Sequence, residues 1–106
     1  VVKGFLRAVA NGWKDAIKDP KSGVESIAKR NPALDVDLET RRLQLAIDAN
    51  VLTDWAKENG MGDVDADRMA KAIEQLKETY EFKNAPDASL YFTGEYLPEK
   101  SARMVQ

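Results

Sequence analysis

Apolar side chains recur in steps of three and four along most of this chain. In residues 1–18 they fall at Val2, Phe5, Leu6, Val9, Trp13, Ala16 and Ile17, which predicts a helix with one apolar face. Gly4 and Gly12 weaken that helix by up to about 1 kcal/mol each relative to alanine, so they are expected where another backbone approaches. Asp19-Pro20 ends it, because proline disfavours helical backbone in its predecessor. Pro20 then opens a second helix, at a position where its missing N–H costs nothing. Val24, Ile27 and Ala28 form its inner side, and Asn31-Pro32 stops it.

A third helix is expected from about Asp35 to Glu58. Leu38, Leu45 and Leu52 make one row, and Leu43, Ile47 and Val51 an adjacent one, so it reads as central and packed on two sides, with a break near Thr53. Asn59-Gly60-Met61-Gly62 is the clearest interruption, since both glycines admit left-handed backbone. A fourth helix is expected over residues 65–80, with Met69, Ile73, Leu76 and Tyr80 as its stripe and Asp65 and Asp67 at its start. Beyond it, Asn84-Ala85-Pro86-Asp87 reads as a turn. Leu90-Tyr91-Phe92 and Tyr96-Leu97-Pro98 read as an aromatic coil with one helical turn, and Ser101 to Gln106 as a frayed tail. The fold class is therefore mainly α: about four helices and an aromatic C-terminal coil, in one unit spanning residues 1–106.

Composition narrows the chemistry. The chain has 16 basic and 18 acidic residues in mixed order, net charge −2, which argues against nucleic acid as a partner. It has neither cysteine nor histidine, so disulfides, thiolate metal sites and histidine-based catalysis are excluded. No apolar run approaches the roughly 20 residues of a membrane span. The start, Val1-Val2-Lys3-Gly4-Phe5-Leu6, reads like the inside of a helix, which suggests a piece of a longer protein.

Three constellations bear on the chemistry. Asp63, Asp65, Asp67 and Glu74 take positions one, three, five and twelve of a calcium-binding EF-hand loop, but Arg68 replaces the obligatory glycine and Lys71 brings a cation to the ligand shell. An acidic helix N-terminus capped by Asp65 is the expected role, with no metal bound. Trp13, Trp55, Tyr80, Phe82, Tyr91, Phe92 and Tyr96 supply the groups for an aromatic cage, yet core packing is favoured, for Trp13 and Tyr80 especially. The basic pairs Lys29-Arg30 and Arg41-Arg42 lie near Glu25 and Glu39 and read as solvated faces. No nucleophile elbow and no phosphate loop is present. No catalytic residue, ligand-binding residue, metal or cofactor is assigned, and the chain is expected not to be an enzyme.

The breaks themselves form a pattern. Phe5-Leu6-Arg7-Ala8-Val9, Gly12-Trp13, Ala16-Ile17 and Asp19-Pro20 are followed by Asn31-Pro32-Ala33-Leu34-Asp35, then Gly60-Met61-Gly62 with Val64-Asp65, then Phe92-Thr93-Gly94-Glu95-Tyr96-Leu97-Pro98. In order and spacing, over nearly residues 4 to 98, this resembles the C-terminal helical part of type II periplasmic substrate-binding proteins of ABC transporters, in the sulfonate, nitrate, taurine and thiamine-precursor group. The resemblance implies a two-lobed α/β clamp that closes on a small solute and docks on a membrane permease. This segment would pack on the first lobe, with most ligand contacts made by residues outside it and a periplasmic location. Fungal relatives that make the thiamine pyrimidine use histidine, and this segment offers none. The alternative is an independent helical interaction or regulatory module. A segment cut from its lobe would expose an apolar face, and a two-fold dimer through Val2, Phe5, Val9 and Trp13 is expected.

Overall fold

The computed structural model describes residues 1–84 and 87–105. The fold is mainly α, with no strand among the described residues. Its helices are α1 (Val2–Lys18), α2 (Pro20–Ala28), α3 (Val36–Ala46), α4 (Asp54–Asn59), α5 (Ala66–Thr79) and α6 (Lys100–Arg103), with a π-helical turn at Ile47–Val51 and a 3-10 turn at Ala88–Leu90. Among the described residues, four of the six helices are seven residues or longer, matching the four principal helices expected. No helix among the described residues is long and apolar enough to cross a membrane.

The boundaries follow from capping chemistry. Asp19, held at φ −144° by the proline after it, closes α1 with its N–H on the Asp15 carbonyl at 3.0 Å. Its carboxylate then accepts the Ser22 N–H at 3.1 Å and caps α2, where Pro20 occupies the first turn. Asp35 caps α3 through the Leu38 N–H at 3.0 Å, and Thr53 caps α4 through the Ala56 N–H at 3.1 Å. Asp65 caps α5, accepting the Asp67 N–H at 2.9 Å.

The long third helix expected over residues 35–58 is in fact three pieces. The ladder widens after Ala46 into the π turn, closed by the Leu52 N–H on the Ile47 carbonyl at 2.8 Å. Thr53 then turns extended, with ψ 157°, and starts α4. Nor is the third helix covered on two sides. Ile47 is wholly buried and Leu43 half-buried, whereas Leu38 is exposed and Leu45 keeps 70% of its surface. Among the described residues α2 is the main helix packed against α3, and Leu38 and Leu45 of its first apolar row stay exposed.

The core is correspondingly small. Ala10 of α1, Val24 of α2, Ile47, Ala56 of α4 and Val105 are its buried apolar residues. The C-terminal tail is not frayed over its described part, because α6 packs on α1, Arg103 and Val105 are buried, and Met104 is half-buried. Gln106 and residues 85 and 86 of the Asn84–Asp87 turn lie outside the described residues. Gly4 and Gly12 do not mark close backbone approaches, since nothing lies within 4 Å of a Cβ built at either.

Size makes the thinness of the core quantitative. A compact chain of this length has a radius of gyration near ~13 Å, whereas this one measures 16.9 Å. A folded monomer of this mass exposes about 5,900 Å², and this chain exposes 8210 Å². Exposed large apolar side chains include Phe5, Val9 and Trp13 on α1, Leu38 and Leu45 on α3, and Leu76 on α5.

Candidate functional site

The main concavity is a cleft of about 390 Å³ between α1, α4 and the C-terminal segment. Leu6, Val9, Ala10 and Trp13 form its α1 wall, and Val51, Thr53, Trp55 and Ala56 the opposite one. The Gly60-Met61-Gly62 turn, Leu97 and Pro98 close its end. Polar groups are few: Asn50, Asp63, Arg68 and Arg103. The Trp55 indole N–H is buried with no acceptor among the described residues.

Arg103 builds the end of this cleft. Its Nη1 donates to the Met61 carbonyl at 2.7 Å and its Nε to the Pro98 carbonyl at 2.8 Å. The Met61 N–H returns a bond to the Arg103 carbonyl at 2.8 Å. Gly60 and Gly62 both sit at φ +84°, where side chains are strained. A Cβ on Gly60 would lie 3.2 Å from Arg103 Cβ, and one on Gly62 3.1 Å from Leu97 Cδ2. The glycine pair read as a break is therefore also the seat of the C-terminal segment. Sequence reasoning missed Arg103, because a guanidinium that binds carbonyls leaves no charge pattern to read.

The expected constellations are brought together only in part. Trp13 and Trp55 share the cleft. The other five aromatics line neither it nor a cage of their own. Tyr80 stacks on Phe82 with ring centroids 5.9 Å apart and is exposed rather than packed in a core. Trp13 likewise keeps 36% of its surface. Asp63 accepts the N–H of its neighbour Val64 at 2.8 Å, Asp65 caps α5, and Glu74 is exposed. No group of three or more metal-ligating side chains converges among the described residues. Arg42 pairs with Glu39 at 2.9 Å on an exposed face, while Lys29, Arg30 and Arg41 are solvent-facing. Asp87 is held below the ordinary carboxylate value by the backbone N–H of Ser89, then by the Ser89 hydroxyl.

This arrangement can bury apolar surface and hold a chain segment. No family model, no curated protein and no solved structure matches the chain.

Proposed function

We propose that this chain is a structural, non-catalytic segment of the solute-binding component of an ABC uptake transporter, packing on the first lobe of a periplasmic ligand clamp. The observation that carries this reading is the surface left open: 8210 Å² in all, against about 5,900 Å² for a folded monomer of this mass, with Phe5, Leu38, Leu45 and Leu76 among the exposed apolar side chains. A helical layer whose apolar rows face outward is what remains when the sheet it covers is taken away. The motif order supports the same reading, since Asp19-Pro20 stands at the junction of α1 and α2, and Asn31-Pro32, Gly60-Met61-Gly62 and the coil from Phe92 to Pro98 fall between helices. The segment's partners are then the rest of its own lobe and, through the whole protein, the permease. The solute touches mainly residues elsewhere.

An independent helical interaction module would also leave apolar faces open. The coding sequence upstream separates the two. A signal peptide followed by alternating strands and helices, in a product that binds a small solute in calorimetry, sustains the proposal. A helix-turn-helix, or an upstream region without strands, refutes it.

A further inference from the structure

Asparagine precedes glycine at Asn11-Gly12 and at Asn59-Gly60, and the fold treats the two pairs differently. Asparagine is a labile residue, most of all before glycine, where no side chain hinders attack of the next backbone nitrogen on the side-chain amide carbon. That attack requires the asparagine ψ to leave the helical value of about −42°, so the peptide plane that follows must turn. For Asn11 this plane lies inside α1, a helix of 17 residues. Turning it breaks a ladder bond on each side, one from the Gly12 N–H and one onto the Asn11 carbonyl. Asn59 is the last residue of α4, which has only six. Its plane is held by the Gly60 N–H on the Ala56 carbonyl at 2.8 Å, and its side chain by Nδ2 on the Trp55 carbonyl at 3.1 Å. Gly60 stands at φ +84°, and glycine takes either sign of φ about as readily. The Asn59–Gly60 plane can therefore turn alone, Gly60 φ compensating Asn59 ψ, with the chain on both sides in place. Helix ends open at far lower cost than helix middles.

We propose that Asn59-Gly60 is a modification site of this chain, where the Asn59 amide is converted to aspartate or isoaspartate. With the plane turned, the Gly60 nitrogen loses its proton to solvent base and bonds to Asn59 Cγ. The Cγ–Nδ2 bond breaks, and Nδ2 leaves as ammonia, taking its extra proton from water. Water then adds to either carbonyl of the cyclic imide and opens it. The net change exchanges ammonia for water, and nothing is oxidised or reduced. The product acts on its neighbours. A carboxylate at residue 59 replaces the donor to the Trp55 carbonyl by another acceptor and puts negative charge at the negative end of α4. Isoaspartate also lengthens the main chain just ahead of Met61, which exchanges hydrogen bonds of 2.7 and 2.8 Å with Arg103. There is no slack beside it, since a Cβ on Gly60 would lie 3.2 Å from Arg103 Cβ. The modification thus loosens the hold of Arg103 on the turn after α4.

Ageing of the 106-residue chain in mildly alkaline buffer, read by peptide mapping, tests the proposal. Aspartate and isoaspartate should accumulate several-fold faster at residue 59 than at residue 11. In urea, where neither helix persists, the two sites should react at similar rates. Equal or faster reaction at residue 11 in the folded chain overturns the proposal. So does an absence of product at residue 59 over a time in which the unfolded chain reacts, or a contrast between the sites that persists unchanged in urea. The effect on Arg103 is read by hydrogen exchange of the Met61 N–H, which should be several-fold faster in aged than in fresh protein. In Asn59→Gln, whose longer side chain disfavours ring closure, ageing should leave it unchanged. Equal Met61 exchange in fresh and aged unsubstituted protein overturns the loosening. None of these outcomes touches the solute-binding reading, which has its own test in the upstream coding sequence.

Discussion

Arg103 and Met61, 42 residues apart, are tied by two hydrogen bonds running in opposite directions: guanidinium to carbonyl at 2.7 Å, and N–H to carbonyl at 2.8 Å. With the bond from Arg103 to Pro98 they fasten the end of the described chain to the turn between α4 and α5. Hydrogen bonds from charged donors contribute about 1.5–3 kcal/mol each. Arg103→Ala should therefore lower stability in urea denaturation by about 2–4 kcal/mol. Arg103→Lys should not restore it, because a lysine ammonium lacks the planar fork that reaches both carbonyls. Full rescue by lysine would show that packing of the stem, rather than the fork, holds the segment.

The glycines separate into classes with opposite signs. Gly60→Ala and Gly62→Ala force a side chain to φ +84° against a close neighbour and should each cost roughly 1–2 kcal/mol or more. Gly23→Ala, inside α2, places its Cβ 3.7 Å from Ala16 Cβ and 3.9 Å from Leu43 Cδ2, ordinary contacts. It should raise stability by about 0.5–1 kcal/mol. Thermal melts of the three variants check both signs.

Asp19 both ends α1 and caps α2, so Asp19→Ala should cost about 1 kcal/mol. Asp19→Asn, which keeps the accepting oxygen, should cost much less. Circular dichroism melts distinguish them, and equal losses would assign the effect to charge rather than to the cap.

Asp87 gives a pH signature. Its carboxylate is favoured in the folded chain by the Ser89 N–H and hydroxyl, so its folded pKa lies below the ordinary 3.8. The stabilisation it brings is present above the unfolded value and is lost as pH falls through the folded one. An NMR titration should show the Asp87 carboxyl shifting below that of a model aspartate, with Ser89→Pro moving it back toward the ordinary value.

Helix starts were legible where proline and aspartate announce them chemically: Pro20, Asp35 and Asp65 stand where expected, whereas Thr53 reads as a break and proves to be a cap. The break after Ala46 was not, because Leu43, Ile47 and Val51 keep helical spacing straight through the π turn. Burial was the least legible quantity. Spacing identifies which residues share a face, as with Leu38 and Leu45 or Met69, Ile73, Leu76 and Tyr80. It does not say whether this chain supplies the layer that covers them. The cleft was half legible: its indoles stand out by type, but Arg103 and the Met61 carbonyl meet only through tertiary folding.

The open faces of α3 and α5 can be watched directly by hydroxyl-radical footprinting of Leu38, Leu45 and Leu76. The labelling is done once on the 106-residue chain and once on the polypeptide of the whole coding sequence. If these helices are the outer layer of a solute-binding lobe, all three leucines label readily in the chain alone and are protected in the larger polypeptide, whether or not solute is bound. Equal labelling of the three in both forms would mean that no lobe covers them, and would contradict the proposed function.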